Sequence, residues 1–217
     1  MRDDDWVPVS ASALVIGAMS LVLGAVLNPA EVGASSGDLV RAVDEDGVRW
    51  LAMAVMYVFA SLALTVGMPS LLTLFERRGR VLGVLGVALF TVGAVGTCGY
   101  AMLMVFFRAL VVTDAVQVGA MDRVGDDRGI KLFLEGWFGA FYAGVLVLAV
   151  ALLVARTVPV WVPVLLALFV GLAPFVSHLG RVGSAAQLMA LAVALTGVAM
   201  AAVAVERRPA RIRQPAF

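Results

Sequence analysis

Val81-Leu-Gly-Val-Leu-Gly-Val-Ala-Leu-Phe-Thr-Val-Gly-Ala-Val-Gly-Thr-Cys-Gly-Tyr-Ala-Met-Leu-Met-Val-Phe-Phe107 runs without a single Asp, Glu, Lys or Arg. An uncharged apolar run longer than about 18 residues signals a helix that crosses a bilayer, because each backbone polar group must be satisfied within the segment once water is gone. The rest of the chain repeats the pattern. Two further charge-free runs lie upstream, about 10–29 and 50–75, and three more follow at about 132–155, 158–176 and 182–205, of which the first carries one acid, Glu135. The expected fold is therefore all-α: a single transmembrane bundle over residues 1–217 with six spans and two long connections, about 30–49 and 108–131.

Composition agrees. Of the 217 residues, 62% are hydrophobic and 14% charged, and the mean hydropathy is +1.01, whereas soluble domains carry roughly a quarter charged residues. The fifth run is the weakest, since Pro174 sits near its far end, while Pro159 and Pro163 fall near a helix start where a missing N–H is tolerated. The first run is expected to stay as an uncleaved anchor, because Met1-Arg2-Asp3-Asp4-Asp5 is acidic where a signal peptide is basic.

Orientation follows from the basic residues. One side collects Arg2, Arg77, Arg78, Arg80, Arg156, Arg207, Arg208, Arg211 and Arg213, mostly in short segments; the other collects Arg41, Arg49, Arg108, Arg123, Arg128, Lys131 and Arg181, diluted by acids in longer loops. The dense side is expected to be cytoplasmic, with both termini inside the cell and the protein in the plasma membrane.

Chemistry is sparse. No nucleotide, metal or catalytic-triad motif is present, so no cofactor, metal or nucleic-acid partner is expected. Cys98 is the only cysteine and lies inside the third run, which points to packing rather than to a thiolate. Gly83, Gly86, Gly93, Gly96 and Gly99, with Gly136, Ala140 and Gly144, read as close helix packing; a phosphate cradle would need a flanking strand and Lys-Ser/Thr. Three spans plus three would suit an inverted repeat, but the halves share no motif.

Polar groups at membrane depth are costly and therefore suspect. Glu135 leads. It either pairs with Lys131 at i, i+4, or serves as a general acid raised by the surrounding rings of Phe133, Trp137, Phe138, Phe141 and Tyr142. Those aromatics, together with Trp6, Trp50 and Trp161 near span ends, read either as interface anchors or as the wall of a lipophilic site. On the same side lie Asn28 and Glu31 around Pro29, Arg108 and Asp114 after the third run, and His178 and Arg181 between the last two, as candidate ligand or proton-handling groups. Asp44-Glu45-Asp46 reads as a solvated patch or a weak calcium site. Asp38 is expected to cap a short surface helix through Leu39, Val40 and Val43.

The first run ending in Asn28-Pro29, Arg49-Trp50 opening the second, the Glu76-Arg77-Arg78-Gly79-Arg80-Val81-Leu82-Gly83 turn, and Arg156 with Val158-Pro159-Val160-Trp161 resemble small actinobacterial integral membrane proteins of the uncharacterised DUF4386-like kind. The resemblance implies a six-span fold and no mechanism. Three function classes are carried forward: an enzyme on a lipophilic substrate, such as a terpene cyclase with Glu135 as acid; a small-molecule binding or transport subunit; and an accessory or lipid-interacting protein with a membrane partner or a second copy of itself.

Overall fold

The computed structural model describes residues 6–30, 33–75, 78–115 and 118–206, apart from the side chains at 118, 177, 179 and 181. The described residues are almost entirely helical and contain no strand: α1 Trp6–Leu27, α2 Ser36–Leu72, α3 Arg80–Val112, α4 Val118–Gly125, α5 Arg128–Ala155, α6 Trp161–Leu172 and α7 Val176–Glu206, with 3-10 turns at Thr73–Phe75 and Ala173–Phe175. Five of the helices are long and apolar enough to cross a membrane, and the helix Trp161–Phe175 is apolar but shorter.

Several boundaries move from the sequence expectation. α2 begins at Ser36 rather than near Trp50, because Ser35 caps a surface segment that joins the long helix through a kink at Asp46 (φ −134°, ψ 40°). Ser35 Oγ accepts from the Asp38 N–H at 3.3 Å and donates to Asp38 Oδ2 at 2.6 Å, so the cap is Ser35 and Asp38 is its N3 partner, a capping-box arrangement. α3 runs on to Val112, and the 108–131 connection holds α4 instead of irregular loop. α6 starts only at Trp161, after Pro159, and Pro174 converts its end to a 3-10 turn. The backbone stays right-handed through Val176 and reverses at Gly180, with φ 61° and ψ −152°.

The helices form a ring. α1 packs on α2 and α7, α2 on α3, α3 on α5, α5 on α6, and α6 on α7, and among the described residues the only contact across the ring between long helices joins α2 to α7. Pro8 and Ser12 of α1 share a groove with Val203 and Ala204 of α7, so Trp6 and Glu206 lie at one end, hereafter the terminal end. The 28–49 and 113–127 connections make the opposite, loop end.

Two glycine exchanges hold the ring tightly. A Cβ on Gly17 would lie 2.7 Å from Leu64 N, and one on Gly67 2.7 Å from Leu14 Cα; between α3 and α5 the corresponding pair is Gly93 against Phe141 Cα and Gly144 against Phe90 N, each 2.4 Å. Helices in lipid gain little from apolar burial against one another, so such backbone approach is what joins them. The outer faces carry exposed Ile16, Phe59, Leu62, Met102, Phe106 and Met200, an apolar surface compatible with hydrocarbon.

The α1–α2 seam contains a repair. Pro69 lies inside α2 and cannot donate, which loosens the i to i−4 ladder around it. Ser10 of α1 fills the break: its Oγ donates to Val66 O at 2.9 Å and accepts from the Ser70 N–H at 3.2 Å, so the Ser70-to-Val66 bond is relayed through a neighbouring hydroxyl. Ser10→Ala is expected to cost about 1 kcal/mol, the scale of interhelical hydrogen bonds in membranes. Thermal unfolding in detergent measures it, and Ser10→Thr, which keeps the hydroxyl, should recover most of the loss.

The terminal half of the ring is filled by a large apolar cluster that includes Leu14, Leu64, Phe75, Phe90, Leu148 and Phe169. Phe75, on the 3-10 turn that leaves α2, packs against Gly83 of α3, and its turn reaches α5 and α7. A separate small cluster of Ala30, Val43, Trp50, Met53 and Phe107 lies at the loop end. The ring of Tyr57 packs on both clusters.

Candidate functional site: an aromatic layer toward the loop end

The loop end is pinned by groups that the sequence alone presented as candidates. Asn28 Oδ1 accepts from the Ala30 N–H at 3.1 Å, closing the turn after α1. Arg49 donates to Val26 O at 3.1 Å, a cation on the C-terminal carbonyls of α1, and Arg108 Nε donates to Gly47 O at 2.9 Å, just past the α2 kink. Asn28 and Arg108 therefore hold backbone. Trp50 is not an interface anchor: it is 2% exposed, donates Nε1–H to Met104 O at 2.9 Å and lies 5.6 Å from the Phe107 ring.

Between the two apolar clusters lies a layer of rings. Tyr57 of α2 and Tyr100 of α3 have ring centroids 6.1 Å apart, and Tyr100 meets Phe138 of α5 edge-on at 5.6 Å. One turn deeper, Phe141 touches Phe90, Tyr142 and Phe169, and Tyr142 stacks on Phe169 at 5.2 Å and 16°. The ring of Tyr57 rests where Gly24 leaves room on α1. Neither the Tyr57 nor the Tyr100 hydroxyl has a hydrogen-bond partner among the described residues, although both side chains are half-buried inside the ring of helices. Both hydroxyl oxygens remain accessible, since among the described residues no enclosed side-chain polar atom lacks a partner.

Gln187 of α7 completes the layer. It is 4% exposed and donates Nε2–H to Phe169 O at 2.7 Å. That carbonyl is free because the Ala173 N–H turns back to Val170 O where α6 tightens. The Gln187 amide also interacts with the Tyr142 hydroxyl, so one side chain ties α5, α6 and α7 together.

Of the sequence candidates, Phe138, Phe141 and Tyr142 converge in this layer. Trp137 is half-buried against Gly96 of α3, with Phe133 edge-on at 5.3 Å. Glu135 is exposed; the rings do not enclose it. Nor does it bond to Lys131, whose Nζ instead donates to Asp126 Oδ1 at 2.7 Å, leaving Glu135 only within its electrostatic reach. That hydrogen bond holds the Asp126 carboxyl below its ordinary range. The pair is therefore retained through neutral and mildly acidic pH and is lost only as pH falls through the lowered value. Asp114 is exposed in a left-handed turn (φ 52°) and His178 is exposed near the Gly180 reversal. Glu31 and the Arg181 side chain lie outside the described residues.

A cleft of about 660 Å³ opens at the loop end between Pro29 and Ala30 after α1 and Ser35, Asp38, Arg41 and Glu45 on the surface segment of α2. Its Arg41 lies 3.9 Å from Asp38. Among the described residues no group of three His, Cys, Asp or Glu side chains is placed to hold a metal, and Asp44-Glu45-Asp46 stands exposed on the surface segment.

No family model, curated protein or solved structure matches this chain. The site therefore rests on its own geometry. Tyr57, Tyr100, Gln187, Phe90 and Phe169 were not singled out from sequence. Gln187 was the one legible signal, a carboxamide inside an apolar run; the tyrosines resemble ordinary span aromatics until three helices bring them together.

Proposed function

We propose that this protein is a multi-pass integral membrane protein, with six crossings and both termini in the cytoplasm, that binds a lipid-soluble molecule bearing a hydrogen-bond acceptor in the aromatic layer. The five long apolar helices support the membrane reading. The right-handed stretch from 161 to the Gly180 break rises about 28 Å at 1.5 Å per residue, close to the roughly 30 Å hydrocarbon core, which supports a sixth crossing. The Arg-rich terminal end supports the orientation.

The observation that carries the ligand is the pair of hydroxyls of Tyr57 and Tyr100, which make no hydrogen bond among the described residues, remain accessible and stand beside the Phe138 ring. An apolar wall with a few polar groups is the usual composition of a small-molecule site. The packed terminal half, with Phe75, Phe90 and Phe169 each at most 1% exposed, favours binding over a conduit. An acid-initiated cyclase would need its carboxyl within an enclosed substrate pocket, and the exposure of Glu135 on the outside of the bundle lends that reading no support.

Native mass spectrometry of protein extracted in mild detergent tests the proposal. A co-purifying small molecule is expected on the wild type, with occupancy reduced about tenfold in the Tyr57→Phe, Tyr100→Phe double variant, the equivalent of ~1.4 kcal/mol. Equal occupancy in both proteins, or a wild type that carries no adduct, would overturn it.

A further inference from the structure

Three helices, each measured from the terminal end, place the tyrosine layer at one depth. At 1.5 Å per residue, Gly24, against which the Tyr57 ring rests, stands about 27 Å above Trp6. Tyr100 stands about 30 Å above Arg80, and Phe138 about 26 Å above Ala155. Arg80 and Arg156 lie at the terminal end, as basic residues do at a cytoplasmic boundary. The hydrocarbon core is roughly 30 Å thick. In the orientation proposed above, the layer therefore stands at the outer edge of the hydrocarbon and not at its midplane.

Below the tyrosines the ring of helices is filled. Phe90 and Phe169 are 0% and 1% exposed and Gln187 is 4% exposed, while Tyr142 stacks on Phe169 and closes the wall between α5 and α6. One turn higher that wall opens. Pro174 turns the end of α6 into the 3-10 segment Ala173–Phe175, which stays in contact with α6 and α7 but, among the described residues, touches α5 nowhere; α5 and α7 do not touch either. Phe138 lies one turn above Tyr142 on the same side of α5 and is accordingly 44% exposed, although its ring meets Tyr100 edge-on. A slot between α5 and the α6–α7 turn thus leads from the bilayer to the tyrosine pair.

A ligand that accepts from these hydroxyls must hold its acceptor at the outer edge of the hydrocarbon. Its apolar part must leave sideways, because the interior below is packed. The carbonyl of a fatty-acyl ester meets both requirements: in a leaflet it sits where chains meet headgroups, with the chain attached directly to it. We propose that the aromatic layer binds an ester-linked acyl lipid of the outer leaflet. Its ester carbonyl accepts hydrogen bonds from Tyr57 and Tyr100, and its chain lies against Phe138 in the slot. This inference rests on the binding site proposed above, and adds the class of ligand and its route.

Native mass spectrometry of delipidated protein in dodecyl maltoside, titrated with diacyl phosphatidylglycerol or its dialkyl ether analogue, tests the class. The two lipids share headgroup and chain length and differ in the ester carbonyls. The wild type is expected to retain the diacyl lipid at least fivefold more than the ether, and the Tyr57→Phe, Tyr100→Phe double variant should hold both at the lower level. Equal retention on the wild type, or a folded double variant that still prefers the ester, would overturn the assignment; if the double variant does not fold, the wild-type comparison decides alone. For the route, p-benzoylphenylalanine at position 138 should crosslink the diacyl lipid at least fivefold more than the same group at position 59, where Phe59 is exposed on α2. Equal crosslinking would exclude the slot. A co-purifying molecule that is no acyl ester, yet is lost in the double variant, would remove this inference and leave the binding proposal standing. A wild type that carries no adduct and takes up neither lipid would remove both.

Discussion

Replacing Gly93 by leucine is expected to unseat α3 from α5. A Cβ there would stand 2.4 Å from Phe141 Cα and 2.6 Å from its N, which are backbone atoms that no rotamer change can move aside, and Gly144 repeats the geometry against Phe90 N and Cα at 2.4 and 2.7 Å. Relief requires the helices to separate, which strips contacts from Phe90 and Phe141, buried at 0% and 7% exposure. Overpacking of a core costs about 1–3 kcal/mol, and a clash against backbone belongs at the upper end, so a loss of about 3 kcal/mol is expected. The measurement is thermal unfolding of detergent-purified protein followed by size exclusion. Gly171→Leu, where nothing lies within 4 Å, is the control, and it should unfold within a few degrees of the wild type. Since Phe141 also walls the aromatic layer, Gly93→Leu should release the co-purifying molecule as well.

The second large effect is expected at Gly180. Its φ of 61° and ψ of −152° fall in a region that L-residues with a Cβ essentially do not occupy. Nothing surrounds the position within 4 Å, so the effect of Gly180→Ala isolates backbone strain from packing. A destabilisation of about 1–3 kcal/mol is expected. The strain would be relieved by letting the turn between α6 and α7 re-form, which shifts Gln187 relative to Phe169 O and so should also weaken the tie to Tyr142. Substitution by D-alanine in a semisynthetic protein should restore stability, because its mirror-image backbone accepts a positive φ. An L-alanine variant as stable as the wild type would show that the reversal lies elsewhere.

Much of the architecture was legible from hydropathy because solvent selects it. In hydrocarbon a backbone must bond to itself, so a charge-free run of sufficient length has few alternatives to a helix. Helix ends were less legible. Ser35 takes the cap position that Asp38 was expected to fill, and the connection at 108–131 is largely helical, because hydrogen bonds at helix ends depend on one or two side chains rather than on an averaged pattern. Pro69 passed unnoticed inside the second run; its tolerance depends on Ser10, 59 residues earlier in the sequence, and no local pattern announces that partnership.

The candidate site divides in the same way. Phe138, Phe141 and Tyr142 were recognisable as an aromatic face of one helix, since that follows from spacing alone. Glu135 was equally visible, yet the structure leaves it exposed and gives Lys131 to Asp126. A periodicity shows which residues share a face, but not which way that face turns.

Taken alone, the residues determined an all-helical chain with long apolar helices and short basic turns at one end, because the cost of exposing backbone to hydrocarbon is paid segment by segment and is therefore written locally. The tertiary structure alone decided the ring order of the helices, the Ser10 relay across the Pro69 break, the burial of Trp50 and the meeting of Tyr57 with Tyr100. Those features arise from where helices approach within van der Waals contact, and that depends on pairs such as Gly93 with Phe141 that lie far apart along the chain.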